Sequence, residues 1–277
     1  MMMYPFINSS KSPLFTFELL PPLKGHSIER IYHTIEGLLE YAPSYINFTS
    51  HRNEMVLTER PDGLLERRTT RKRPGTIALA AAVKYKYNVN VVPHILCGGF
   101  SREETENALI EMNFLGINDV LALRGDPPRG SRVFIPDPGG HRNTSELVQQ
   151  IVDMNRGHYL DPELKNTNAT SFCIGVAGYP EKHFEAPNMK SDLVNLKRKV
   201  DAGACYIVTQ MFFDNAKFYA FRDAIREMTD RLLKMLPGTV RLNQQEALTV
   251  AQVAVAHGLD PFNGEVWGLK GENEKWY

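Results

Sequence analysis

Cysteine is scarce in this chain of 277 residues: there are three, Cys97, Cys173 and Cys205, and no two form a Cys-x-x-Cys pair. An odd, scattered set excludes a disulfide framework. All three fall in or beside apolar strand-like runs, so they read as small buried hydrophobes. Long apolar runs are missing as well. No stretch approaches the roughly 20 residues that a membrane span needs, and the opening "MMMYPFINSSKSP" has neither a basic region nor an apolar run of signal-peptide length. A reducing, cytoplasmic setting is therefore expected, and the sequon at Asn168 is read as accidental. Charge of one sign is not in excess: Lys plus Arg and Asp plus Glu both total 32. Neither nucleic acid nor an anionic membrane is an expected partner. The chain has no His-x-x-x-His or Glu-x-x-His at ligand spacing, which argues against a metal site. It has no Gly-x-Ser-x-Gly elbow, which disfavours a serine hydrolase. No Gly-x-Gly-x-x-Gly follows the first strand-like run, which disfavours the ordinary dinucleotide-binding fold.

What is present is a rhythm. Apolar runs over 14–20, 45–50, 90–96, 119–125, 171–178 and 205–213 alternate with segments of helical period near 27–42, 74–88, 101–115, 144–156, 189–202 and 214–230. Ser101 with Glu104 three residues on predicts a capped helix start. Such alternation implies a parallel sheet with crossover helices, either an open doubly wound sheet or most of a closed barrel. The composition, 43% hydrophobic and 23% charged, is that of an ordinary globular protein. A length of about 250 residues suits a single α/β barrel.

Polar residues gather at the C-terminal ends of the predicted strands: Glu18, Thr49, His94, Arg124 with Gly125 and Asp126, Tyr179 and Gln210. Parallel barrels build their active sites on that face. Glu18 stands out, because "LFTFELLPP" reads as a buried strand stopped by two prolines, and a carboxylate inside it is costly unless paired or used. It is either an ion-pair partner at the barrel mouth or a general acid whose pKa is raised by its apolar setting. "LALRGDPPRG" delivers Arg124 and Asp126 to a glycine-marked turn, either a self-satisfied pair or a ligand clamp in which Gly125 allows close approach. In "DLVNLKRKVDAG", Asp192, Asn195 and Lys199 share one helical face with Arg198 beside it, either a solvated charge run or a cradle for ribose and pyrophosphate. His94 and His183 are the best-placed histidines.

"FTFELLPP", "VPHILCGGF", "LALRGDPP", "GVAGYPEKHFEA" and "DLVNLKRKVDAGACYIVTQMFFD" occur in this order. Over residues 12 to 226 the chain resembles the methylenetetrahydrofolate reductase family. The resemblance implies a (β/α)8 TIM barrel carrying non-covalent FAD. It implies an oxidoreductase that uses NADH or NADPH to reduce 5,10-methylenetetrahydrofolate to 5-methyltetrahydrofolate, in one-carbon metabolism and methionine biosynthesis. Carried over by motif, Glu18 takes the place of the acid that protonates folate N10. Asp126 lies between flavin and folate, Gln210 contacts folate and Thr49 contacts nicotinamide. The implied FAD contacts are His94, Arg124, Gly125, Asp126, Tyr179, His183, Ala186, Asp192, Asn195, Arg198 and Lys199. A homo-oligomer is the family's usual state.

The sequence departs from the family pattern in places. Asn143 stands where an aromatic is usual, and Ser50 where tyrosine is common. From about residue 227 the expected seventh strand, folate-binding loop and eighth strand are not recognisable. The segment "GLDPF" there resembles the start of phage annealing proteins of the RecT and Bet type over a short stretch. The expected organisation is a flavin-binding reductase barrel over 1–226 and an atypical tail over 227–277. That tail is either a divergent closure of the barrel or a fused or truncated piece that leaves it incomplete after the sixth βα unit, and the second account is preferred. The alternative function is an FAD-binding barrel without folate turnover.

Overall fold

A computed structural model describes residues 14–52, 54–127 and 133–235. The atypical tail from residue 236 onward lies outside the described residues. Among the described residues eight strands and six α-helices follow in the order β1 (Thr16–Leu19), α1 (Glu29–Leu38), β2 (Tyr45–Phe48), β3 (Glu54–Glu59), β4 (Leu65–Thr70), α2 (Thr76–Tyr87), β5 (Val91–Leu96), α3 (Arg102–Phe114), β6 (Asp119–Leu123), α4 (Thr144–Asn155), β7 (Cys173–Gly178), α5 (Met189–Asp201), β8 (Tyr206–Thr209) and α6 (Asn215–Met235). Six strands form one sheet in the order β1-β2-β5-β6-β7-β8, and β3 pairs with β4 alone. The registers from β1 to β7 within the sheet are all parallel. This is the βα frame of an incomplete TIM barrel, and among the described residues β1 and β8 are its edges.

The expected elements are present, most with boundaries trimmed by a few residues, while the last helix runs on to Met235. Ser101 caps α3 through the expected box: its hydroxyl accepts the Glu104 N–H at 3.1 Å, and the Glu104 carboxylate accepts the Ser101 N–H at 2.7 Å. The antiparallel ribbon β3–β4 was not foreseen. Its signal was the Pro61-Asp62-Gly63 turn between two runs of strand-forming residues. The Leu64 N–H donates to Asp62 Oδ1, and the Gly63 N–H to the Arg60 carbonyl.

The chain divides into two compact units, Met1–Ala177 with Ala204–Ile207, and Gly178–Gly203 with Val208–Tyr277. The core of the first unit is where helices meet the sheet. Ile46, Phe48, Val92, Val120, Ala122, Ile174 and Val176 are buried from the strands, and Ile35, Leu79, Val83, Leu109, Met112, Leu147, Ile151 and Met154 from α1 to α4. Burying each large side chain contributes about 1.5–3 kcal/mol, so these positions dominate the hydrophobic term. Near-continuous burial along β2, β5, β6 and β7 is what a strand covered on both faces requires.

Two expectations about burial need correction. β1 is not a buried strand, since its residues alternate between exposed and half-buried. It has β2 as its one paired neighbour among the described residues, so nothing there covers its outer edge. Cys97 and Cys173 are buried as expected, but Cys205 is half-buried, and all three are reduced. A hydrogen bond from the Cys173 thiol pulls the Cys205 pKa down to about 7, against the opposing effect of burial. Among the described residues no helix is long and apolar enough to cross a membrane.

Candidate active site

In the first unit, the strand ends carry the chemistry. Glu18 is the third residue of β1 and stands in register with Asn47 of β2. Its side chain is 56% exposed, yet partial burial raises its pKa above the ordinary carboxylate value. Its Oε2 lies 3.6 Å from Nε2 of His94, which projects from β5. That separation is too long for a hydrogen bond. Burial first, and the nearby His51 second, push the His94 pKa down to about 4, so the ring is neutral at pH 7. The contact with His94 is therefore not an ion pair. His94 Nε2 is also buried without a hydrogen-bond partner among the described residues, and a buried polar atom left this way calls for a ligand, a water or a shifted neighbour.

Thr49 follows β2 directly. Its carbonyl accepts the Thr76 hydroxyl at 3.1 Å, which ties the strand end to the first residue of α2, and its own hydroxyl is 3.1 Å from His51 Nε2. α2 can start there because Gly75 takes φ +82°, a conformation that side chains resist.

Arg124, Gly125 and Asp126 follow β6 and form a held turn. The Arg52 guanidinium donates to the Asp126 carbonyl at 3.2 Å, and the Arg124 carbonyl accepts the Gly98 N–H at 3.1 Å. The Arg124 guanidinium lies 4.9 Å from the centre of the Phe134 ring, within cation–π range. Gly125 has φ +83°. A Cβ on Gly98 would stand 3.2 Å from Phe134 and 3.6 Å from Arg52 Nη1, so the absence of a side chain there lets Phe134 and Arg52 pack close to the backbone. The sequence reading missed Arg52, His51 and Phe134. His51 carried a signal, since it sits two residues past Thr49 in a cluster of polar residues at a strand end.

The second unit gathers the other expected residues. The Asp192 carboxylate, buried in the first turn of α5, accepts the His183 N–H at 2.8 Å. Asn188 caps that helix by accepting the Ser191 N–H. The His183 ring packs edge-on against Tyr179 with centroids 4.7 Å apart, and its Nδ1 accepts the Glu185 N–H at 3.2 Å. Lys182, at φ +74°, wraps its ammonium onto the carbonyls of His183 and Ala186. Lys199 reaches over the Tyr179 ring at 5.7 Å, and Arg198 donates to Asn195 Oδ1 at 3.3 Å. Asp192, Tyr179, His183, Ala186 and Lys199 thus belong to one hydrogen-bonded and ring-packed group. Gln210 lies one residue past β8 rather than within a strand, with its N–H donating to the Gly178 carbonyl at 2.7 Å.

Each set, taken by itself, has groups that suit part of a phosphorylated, ring-bearing cofactor. The first unit offers guanidinium groups and an unpartnered imidazole nitrogen, and the second a lysine ammonium beside an aromatic ring. No cluster of His, Cys, Asp or Glu suited to a metal ion occurs among the described residues.

A family model described as methylenetetrahydrofolate reductase matches residues 5–256. The chain belongs to the methylenetetrahydrofolate reductase family. "Methylenetetrahydrofolate reductase (NADH) 1" of Arabidopsis thaliana is 31% identical over 223 residues, 77% of this chain and 33% of that protein. "5,10-methylenetetrahydrofolate reductase" of Salmonella typhimurium is 29% identical over 211 residues, 75% of this chain and 58% of that one. The chain thus spans between a third and three fifths of the length of these two relatives. The crystal structure of 2,3-dimethylmalate lyase is 8% identical with a TM-score of 0.50, covering 82% of this chain and 66% of that one, a likeness of fold alone.

Asn143 is the N-cap of α4: its Oδ1 accepts the Glu146 N–H at 3.1 Å, and the Glu146 carboxylate accepts the Arg142 N–H at 2.8 Å. The position serves helix initiation.

Proposed function

We propose that the chain is an FAD-dependent reductase that uses NADH or NADPH to convert 5,10-methylenetetrahydrofolate to 5-methyltetrahydrofolate. The observation that carries this reading is Glu18: a carboxyl with a raised pKa, at the C-terminal end of a parallel strand, facing an unpartnered neutral imidazole. A carboxyl pKa raised by burial is a shift toward what a general acid needs. The family match supports the choice of substrate.

FAD, when bound, supplies the hydride chemistry. In the first unit, His94, Arg124, Gly125 and Asp126 contact the cofactor, and Thr49 contacts nicotinamide. Glu18 donates its proton to folate N10 as the five-membered ring opens, and Asp126 contacts the pterin. In the second unit, Tyr179, His183, Ala186, Asp192, Asn195, Arg198 and Lys199 contact the cofactor, and Gln210 contacts folate. A homo-oligomer belongs to the same proposal and is checked by sedimentation.

The flavin spectrum of the purified protein is the first test, and protein that stays colourless and takes up no added FAD refutes the reading. Glu18→Gln then separates the two halves of the reaction. Reduction by NAD(P)H persists, while folate reduction falls by about 10²- to 10⁴-fold, the usual share of a general acid. Equal loss of both halves removes Glu18 from the acid role. NAD(P)H oxidation by wild-type protein with no folate turnover selects instead an FAD-binding barrel without folate chemistry.

A further inference from the structure

The acid needs something to hold its proton. Glu18 stands on the outermost strand with a side chain that is more than half exposed, and in water an ordinary glutamate near pKa 4.3 is protonated in only about one molecule in 500 at pH 7. The polar atom the structure places opposite its Oε2 is His94 Nε2. That nitrogen is buried, lacks a hydrogen-bond partner among the described residues, and belongs to a ring that is neutral at pH 7. A neutral imidazole nitrogen is either a donor or an acceptor, depending on the tautomer. A donor Nε2–H would favour the ionised carboxylate. An acceptor Nε2 stabilises the protonated carboxyl.

We propose that His94 is a positioning residue for Glu18: its Nε2 accepts the Oε2–H of the protonated carboxyl and holds that proton at the strand end until a substrate nitrogen takes it. The inference rests on the reading of Glu18 as the acid. The gap of 3.6 Å closes by a side-chain rotation of the exposed Glu18, and catalytic hydrogen bonds are often long before substrate arrives. The proton balance is simple: Glu18 passes its proton to the substrate nitrogen and becomes a carboxylate, which then faces a lone pair. That repulsion favours recapture of a proton from solvent before the next turnover. The titratable groups facing His94 are Glu18 from β1 and His51 from the segment after β2. The nearby His51 opposes a second proton on His94 and so helps keep the ring neutral. The charged residues at the neighbouring strand ends are Arg52, Arg124 and Asp126.

The test is spectroscopic and needs neither cofactor nor turnover. Carboxyl ¹³C titration, with the Glu18 signal assigned by its loss in Glu18→Gln, gives the Glu18 midpoint in wild type and in His94→Phe. The phenyl ring keeps water out but cannot accept a proton. The expected result is a midpoint above ordinary glutamate in wild type that falls by one unit or more in His94→Phe. A midpoint that stays or rises overturns the proposal, because burial alone then sets it. Imidazole ¹⁵N shifts of the wild-type protein provide a second measurement if the variant does not fold. The expected tautomer carries its proton on Nδ1, and an Nε2–H tautomer overturns the proposal. Loss of folate turnover with both spectroscopic results intact would sink the functional reading and leave the pairing standing.

Discussion

Replacing Asp192 by alanine tests how the second unit holds the loop that carries Tyr179 and His183. The Asp192 carboxylate is buried and accepts the His183 N–H at 2.8 Å. A hydrogen bond to a charged group contributes about 1.5–3 kcal/mol, and its loss leaves the His183 N–H without that acceptor. Asp192 also sits in the first turn of α5, where a negative charge opposite the helix dipole adds about 0.3–1 kcal/mol. A local cost of about 2 kcal/mol is a conservative sum. Because each 1.4 kcal/mol is a factor of ten, exchange of the His183 amide with solvent should speed up roughly 30-fold in Asp192→Ala. Asp192→Asn keeps an acceptor oxygen and loses only the charge, so its effect should be several-fold smaller. Hydrogen exchange read by NMR on the purified protein measures both. The loop carrying Tyr179 and His183 loosens with the bond, so FAD affinity should fall in the same order. Unchanged exchange at His183 in Asp192→Ala refutes the anchor. An Asp192→Asn variant as severe as alanine moves the effect from the bond to the charge.

Stability should fall on mild acidification. His94 has a folded pKa near 4 against about 6.5 unfolded, so the unfolded chain takes up its proton first as pH drops. The loss begins near pH 6.5 and is complete near pH 4, and a shift of about 2.5 units corresponds to roughly 3 kcal/mol. Burial lowers the His141 pKa too and adds to the loss in the same direction. Urea titrations between pH 7.5 and 4.5 check this, and a midpoint that does not move with pH would remove both histidines from the account. Gly175→Ala should be poorly tolerated, because a new Cβ would lie 2.7 Å from Tyr206 Oη and closer still to its ring carbons. Overpacking of that kind costs about 1–3 kcal/mol, read as a drop in melting temperature, and an alanine variant as stable as wild type would show that the Tyr206 ring can move aside.

Much of the frame was legible because its physics is local. The Ser101–Glu104 box, the six strand–helix alternations and the positions of Glu18, Thr49, His94 and Arg124 at strand ends follow from capping, periodicity and turn residues within a few positions of each other. The β3–β4 ribbon was missed although its Pro-Asp-Gly turn was visible, because charged residues such as Glu59, Glu66 and Arg68 interrupt its strands and hide the alternation that would reveal an apolar face. The exposure of β1 could not be read from "FTFEL", whose apolar residues would suit an interior strand equally well. Burial depends on which neighbours a strand finds, and that is a property of topology. The pairing of Glu18 with His94 was hidden for the same reason: the two residues are 76 positions apart and meet only because β2 lies between β1 and β5.

β1 is four residues long and has one hydrogen-bonded neighbour among the described residues. Strands so placed open at a fraction of the free energy that melts the interior of a sheet. Glu18 therefore moves with an edge of the described sheet rather than with its core. On warming, the carboxyl leaves its place opposite His94 while β5 and β6 are still intact, so any chemistry that needs the two together fails at a lower temperature than the fold does. Thermal tolerance of the site is set at its outermost strand, and mutations that strengthen the buried core would raise the melting temperature without raising the temperature at which the acid is lost.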